Sequence, residues 1–155
     1  MRSHQKGFVL IAMSVATLLL LAVLGLAFDL GRIYIARNEA QIFTDAAALA
    51  AGQKLQSATA AAELSSLEAA RLAVAKLPNR WNLGTKRFSG VAVDFSADQQ
   101  HWDKSPKEGE TVHFVRVTAP SNEVEITFLR AVGGPDSFTV PAHSIAAIDP
   151  LRLVE

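Results

Sequence analysis

Histidines in the C-terminal half lie near acids or hydroxyls, the residue types that could support acid–base or metal chemistry. His101 is close to Asp103, His113 lies in a strand-like segment and His143 precedes Ser144. None has a metal-ligand spacing such as HExxH, and no serine lies in a GxSxG turn. The chain has no cysteine, which excludes thiolate catalysis and disulfides. We therefore predict no catalytic, cofactor-binding or metal-binding residues.

Other polar and aromatic residues of this half favour turns and core packing over chemistry. The segment DFSAD, residues 94–98, is faintly similar to the DxSxS metal motif of adhesion domains but lacks its last serine, so we interpret it as a turn. Lys104 and Lys107 are mixed with acids and the net charge is zero, which gives no basis for nucleic-acid binding. One alternative stays open: Trp81, His101 and Trp102 could line the ligand site of a membrane-tethered periplasmic binding module.

An uncharged, apolar N-terminal run is the element that must determine where the C-terminal half lies relative to the membrane. Residues 8–28 read FVLIAMSVATLLLLAVLGLAF, with Ser14 and Thr17 as the polar side chains. A run of this length crosses a hydrocarbon core of about 30 Å as a helix. We predict a single transmembrane helix at 8–28 after a cytoplasmic segment 1–7. The alternative is a signal peptide cleaved after the small-x-small sequence Gly25-Leu26-Ala27.

Charges on the two sides of the run indicate its orientation. Arg2 and Lys6 precede it, whereas the bases that follow it are offset by an acid. Basic residues favour the cytoplasmic side, so we predict a cytoplasmic N-terminus and a body exported to the periplasm or beyond.

Four residues just after the run are predicted to lie at the membrane interface and to set the register of the helix. They are Asp29, Arg32, Tyr34 and Arg37. In one interpretation, Asp29 and Arg32 form an interfacial pair that sets the depth of the helix, with Tyr34 as its aromatic belt. In the other, Asp29 meets a base on a neighbouring subunit.

Residues 29–55 predict an amphipathic continuation of the same helix. Apolar residues fall in pairs seven residues apart: Ile35 with Ala36, Ile42 with Phe43, and Leu49 with Ala50. The other side would carry polar residues together with Thr44 and Ala48, and Gly52 marks a potential break. We predict the helix-packing face to consist of Ala36, Phe43, Ala46, Ala47 and Ala50.

The remainder, residues 56–155, is predicted to form an exported α+β body. A second helix is expected from Ala58 to Leu77, ended by Pro78, with PNRWNLGT as a loop. Segments with a period of two residues, typical of strands, begin near Val91. We expect residues 112–119 and 123–129 to form a hairpin around Pro120-Ser121-Asn122. Residues 137–148 are expected to form a further strand. The sheet's apolar face needs the alanine-lined helix and the second helix as cover. The predicted fold class is a pilin-like α+β protein.

The residues from Gly7 to Leu55 resemble one known family. They are similar to the N-terminal region of TadE/TadG-like Flp pilus-assembly proteins. The similarity is carried by Lys6-Gly7, the apolar span, Asp29-x-Gly31-Arg32-x-Tyr34, Arg37, Gln41 and the alanine-rich segment 45–50. The resemblance implies an inner-membrane component of a bacterial tight-adherence (Tad) pilus. It also implies a processing site at Gly7-Phe8, although Ala12 stands where pilins of these systems carry a glutamate.

Two functions are therefore expected from the sequence. The first is a non-enzymatic structural subunit, either a minor pilin or an assembly factor. Its partners would be the lipid bilayer and other pilus subunits, with homo- or hetero-oligomers formed through the N-terminal helix. The second is the membrane-tethered binding module.

Overall fold

One long helix forms both the apolar N-terminal segment and one layer of the folded body. In the computed structural model, which describes residues 4–57, 64–107, 109–120, 122–131 and 133–148, helix α1 spans His4–Ser57 without a break at Gly52. Its 54 residues make it about 80 Å long at 1.5 Å per residue. From Phe8 to Leu24 its side chains are exposed all round, and contacts with the body begin at Gly25.

The body follows α1 in the order helix, strands, short helix and strands. Its elements are α2 (Leu64–Ala75), β1 (Arg80–Trp81), β2 (Lys86–Arg87), β3 (Ala92–Ser96), β4 (Phe114–Ala119), β5 (Glu123–Glu125), α3 (Phe128–Ala131), β6 (Ser137–Thr139) and β7 (Ala142–Ala147). The predicted α+β class is confirmed. Of the second helix expected at 58–77, residues 64–75 form α2 and the helix ends two residues earlier than predicted; residues 58–63 lie outside the described part.

The main sheet is antiparallel and covers one side of α1. Its strand order is β3-β4-β7, with Val117 of the central strand opposite Val93 on one side and Ser144 on the other. Val115, Val117 and Ala119 point into the core, while the residues between them are half-buried. This alternation is that of a sheet with one dry face, as the period-two pattern predicted.

Two apolar clusters bind α1 to the body. The cluster far from the N-terminal run joins α1 to α2 and the main sheet; its buried members are Ala47, Ala48, Ala51, Leu55, Leu67, Ala70, Val74, Phe95, Val115, Val117 and Ala146. The nearer cluster joins α1 to β1, β5 and the 140–142 segment; its buried members are Ala36, Ala40, Phe43, Trp81, Phe88, Ala119, Val124, Val140 and Ala142. Alanines on α1 let both clusters approach the helix closely.

The strand pairing predicted around Pro120-Ser121-Asn122 was wrong. β4 pairs with β3 and β7, whereas β5 pairs with β6, with Val124 opposite Phe138. The fully buried Asn122 explains the change, because its amide donates to the carbonyls of Ala119 and Val140 and holds the chain away from a hairpin.

Three further boundaries differ from the sequence-based prediction. The expected loop PNRWNLGT contains β1 and the turn of the short β1–β2 hairpin, and β2 follows directly after it. The turn is possible because Asn82, Leu83 and Gly84 adopt positive φ. The expected strand 123–129 ends at Glu125, and Phe128 starts a helix. Pro141 separates β6 from β7, since proline cannot donate to a ladder.

Candidate functional site

The surface most relevant to function is α1 between Gly25 and Leu55, because this stretch carries the residues singled out from the sequence. Its buried side faces the body, and its opposite side faces outward. The two members of an apolar pair from the sequence lie on different sides of α1. Carboxylates on α1 accept hydrogen bonds from the body at separate points along the helix.

In two of the apolar pairs one member points inward and the other points outward. Ala36 and Phe43 are buried, while Ile35 is 40% exposed and Ile42 69% exposed. In the third pair Leu49 is 61% exposed and Ala50 is half-buried. Successive helical residues differ by about 100° in direction, so neighbours in a pair need not share a face.

The predicted packing residues therefore fall in different places. Ala36, Phe43 and Ala47 contact the body, Ala50 lies at the edge and Ala46 is exposed. The assignment of Thr44 and Ala48 to the polar side was wrong, because both are buried. Burial of Thr44 is compatible with its polarity because its hydroxyl donates to the Gln41 carbonyl at 3.0 Å and lies 3.0 Å from the Ser144 hydroxyl oxygen.

Asp29 holds the start of α3. Its carboxylate accepts N–H bonds from Thr127 at 3.1 Å, Phe128 at 2.8 Å and Leu129 at 2.7 Å, and the residue is 2% exposed. These are the first amides of a helix, which lack partners within the helix itself. Asp29 thus caps a helix 98 residues away in sequence, a partner that neither interpretation of its role included.

Glu39 and Asp45 make the two other carboxylate contacts. Glu39 accepts the backbone N–H groups of Asn82 and Leu83 in the β1–β2 turn. Asp45 accepts from the hydroxyl of Ser144 in β7 and from Gln41, whose amide also donates to Ser144 at 3.0 Å. The same three acids that break the apolar character of α1 therefore fix the body along it.

The other predicted interface residues lie on the outer part of the helix. Arg32 is half-buried, and Tyr34 and Arg37 are exposed. Gly7 and Phe8 are exposed on the free N-terminal part of α1, and no side chain among the described residues lies within 4 Å of the Gly7 Cβ position. Their roles at the interface and in processing remain predictions.

The three residues of the binding-module alternative are not brought together. Trp81 is buried in the nearer cluster and stacks on Phe88, which stacks on Phe43 with ring centroids 4.4 Å apart. His101 and Trp102 instead line a surface pocket of about 440 Å³ that does not include Trp81. Trp102 stacks under the guanidinium of Arg116 at 4.3 Å.

The turn predicted at 94–98 begins later than expected: residues 94–96 complete β3, and the chain bends at residues 97–100. Ser96 Oγ accepts the amides of Asp98 and Gln99, and Asp98 accepts those of Gln100 and His101. The His101 amide and ring N–H bonds to this carboxylate hold the pKa of Asp98 below its usual range, and the same ring contact raises the pKa of His101. Within the described residues, no group of three or more His, Cys, Asp or Glu could hold a metal ion.

These features define an α+β protein built on a helix long and apolar enough to cross a membrane. Residues 7–72 match the family model described as putative Flp pilus-assembly TadE/G-like, so the N-terminal region of the chain is TadE/TadG-like and the resemblance seen in the sequence is confirmed. No curated protein and no solved structure matches the chain significantly.

Proposed function

We propose that the protein is a single-pass, membrane-anchored structural subunit of a Tad/Flp-type pilus system, a minor pilin or an assembly factor. The N-terminal part of α1 spans the inner membrane with its N-terminus in the cytoplasm, and the body lies on the periplasmic side. The weak positive-inside bias of Arg2 and Lys6 supports this orientation. The protein acts by packing against other subunits and not by catalysis.

One observation carries the proposal: a stripe of large apolar side chains on the outer side of α1. Phe28, Ile35, Ile42 and Leu49 recur every seven residues and are all at least 40% exposed, and the exposed Ala46 lies one turn from Ile42 and from Leu49. We call these five residues the outer stripe. A seven-residue apolar repeat is the pattern by which one helix packs along another.

The outer stripe continues the membrane-spanning part of the helix, which already exposes apolar side chains all round. A helix from a second subunit could therefore follow α1 out of the membrane without changing face. Ala46 between Ile42 and Leu49 lets the helices approach closely at that level. Within the described residues, the body covers the opposite side of α1 and the outer stripe is exposed.

The proposal is tested by photo-crosslinking in membranes that assemble the pilus. A photoreactive side chain at Ile42 or Leu49 is expected to form adducts with another pilus component or a second copy of the chain. The same group at Gln100, an exposed position on the 97–102 loop, is the control and should form none. Absence of adducts at both outer positions, in membranes where the Gln100 variant also assembles, would contradict the proposal.

Processing is settled by the intact mass of the protein extracted from the same membranes. Loss of residues 1–7 identifies cleavage at Gly7-Phe8 and a minor pilin. The full mass identifies an uncleaved assembly factor, and loss of about 27 residues identifies a secreted body without an anchor and contradicts the proposed function.

A further inference from the structure

The point at which the body first contacts α1 lies inside the predicted membrane span. Phe128 of α3 packs on Gly25 so closely that a methyl group added there would lie 2.7 Å from the Phe128 side chain. The same ring meets Phe28 edge-on, with centroids 5.6 Å apart. We call Phe28, Phe128 and Arg130, with the Asp29 cap, the α3 corner.

The free part of α1 is too short to span a bilayer by itself. From Phe8 to Leu24 it has about 17 residues without body contacts, which is about 25 Å of helix. A typical hydrocarbon core is about 30 Å thick, and a tilted helix would cover less of it. Residues 25–28 must then complete the span, and the segment packed on them lies at the same depth.

The chemistry of the α3 corner suits the boundary between lipid headgroups and acyl chains. Phe128 is 46% exposed and Phe28 56% exposed, which places an aromatic pair on the surface. Arg130 and Asp136 form an exposed ion pair at 2.8 Å on its rim, where the headgroups can solvate both charges. Aromatic rings with a charged rim are typical of surfaces that lie in the membrane interface.

The Asp29 cap removes the main obstacle to this placement. Backbone N–H groups without partners are costly where water is scarce, and the start of a helix exposes several of them. Asp29 accepts those of Thr127, Phe128 and Leu129, so this turn reaches the interface with its amides satisfied. The acid itself is covered on the body side and is 2% exposed.

From these observations we infer that the α3 corner is a second membrane contact, in which Phe128 enters the interface of the lipid bilayer and holds the body against the membrane surface. The inference rests on the proposed membrane anchor, since it is α1 that brings the corner to the bilayer. It adds a fixed orientation: the β1–β2 hairpin and then the main sheet follow at increasing height along α1.

Single-cysteine labelling tests this directly because the chain contains no cysteine. The full chain is placed in phosphatidylcholine–phosphatidylglycerol nanodiscs with an environment-sensitive fluorophore at position 128, 16 or 100. Quenching is measured with lipids that carry a spin label at a shallow or a deep acyl carbon. We expect position 128 to be quenched most by the shallow label, position 16 most by the deep label and position 100 by neither.

The outcomes separate the two proposals. If position 16 is quenched and position 128 behaves like position 100, the α3 corner faces water and the inference is overturned while the anchor stands. If position 16 is not quenched, the membrane anchor itself fails. Should the Phe128→Cys variant not fold, the exposed Ala131 at the end of α3 takes its place, with the same shallow quenching expected.

Discussion

At the scale of single residues, carboxylates determine where the body attaches to α1. Asp29, Glu39 and Asp45 each offer acceptors to groups of another segment: the first amides of α3, the β1–β2 turn and the Ser144 hydroxyl. Apolar contact supplies most of the driving force for packing but has little directional preference. Hydrogen bonds to charged acceptors add the direction that selects one position of the body along the helix.

Replacing Asp29 with alanine should detach the α3 corner. The amides of Thr127, Phe128 and Leu129 lose their acceptor, so their hydrogen exchange should become markedly faster, as measured by exchange mass spectrometry or NMR. The matched control is Asp136→Ala, which removes an exposed carboxylate at the same corner and should leave these amides protected. Equal exchange in the two variants would contradict the role assigned to Asp29.

The Asp98–His101 contact should make the 96–103 loop pH-dependent. The raised pKa of His101 means that its contribution to stability is complete below about 6.5, its ordinary value, and is lost as pH rises through the folded pKa. The lowered pKa of Asp98 means that its contribution is present above 3.8 and is lost as pH falls through the folded pKa.

An NMR titration of the His101 ring checks this pair. In Asp98→Asn the His101 midpoint should fall towards its ordinary value, because the imidazolium loses its carboxylate partner. Asp103→Asn is the control on the same loop, since Asp103 Oδ1 accepts the Ser105 amide and the variant should leave the His101 midpoint in place. An unchanged midpoint in Asp98→Asn would show that the contact does not form in solution.

At the scale of elements, the side of α1 that faces the body is rich in alanine, with Phe43 and Leu55 as its large residues, and the outer side carries large apolar side chains. Two neighbouring alanines make this testable: Ala47 is fully buried and Ala46 is exposed. Ala47→Leu inserts a large side chain into a packed cluster and should reduce the free energy of unfolding by about 1–3 kcal/mol. Ala46→Leu should change it by less than about 0.5 kcal/mol. Thermal or denaturant unfolding of the detergent-solubilised chain measures both.

The same pair separates folding from assembly. Because Ala46 belongs to the outer stripe, Ala46→Leu should instead weaken crosslinking from Ile42 by holding the neighbouring helix farther away. A large loss of stability in Ala46→Leu, or none in Ala47→Leu, would contradict the orientation of α1 described here.

The sequence predicted where helices and strands lie better than which strands pair and which side chains contact each other. The long helix, α2 and the dry face of the sheet follow from periodicity, which reports local burial. Periodicity could not say which member of Ile35–Ala36 or Ile42–Phe43 faces the body, because two adjacent apolar residues satisfy a seven-residue repeat equally well. Pairing of β5 with β6 depends on the buried Asn122, and the Asp29 cap joins residues 98 apart; neither leaves a local pattern.

At the scale of the whole molecule, the C-terminal half of α1 is part of the body's core. Both apolar clusters include its residues, from Ala36 to Leu55. A fragment that starts at Asp29 should therefore fold and unfold cooperatively, whereas one that starts at Gln56 should lack the inner layer and remain unfolded. Dispersion of the amide NMR spectrum and thermal unfolding by circular dichroism distinguish the two. A folded fragment from Gln56 would show that α1 is dispensable for the core.

The three carboxylate contacts also have a mechanical consequence. Asp29, Glu39 and Asp45 are spread over about 24 Å of α1, and the body lies alongside the helix between them. A pull on the body along the helix axis loads all three contacts and both clusters together in shear, so they must yield as a group and cannot peel apart one by one. The body is thus joined to its anchor in the geometry that best resists tension directed away from the membrane.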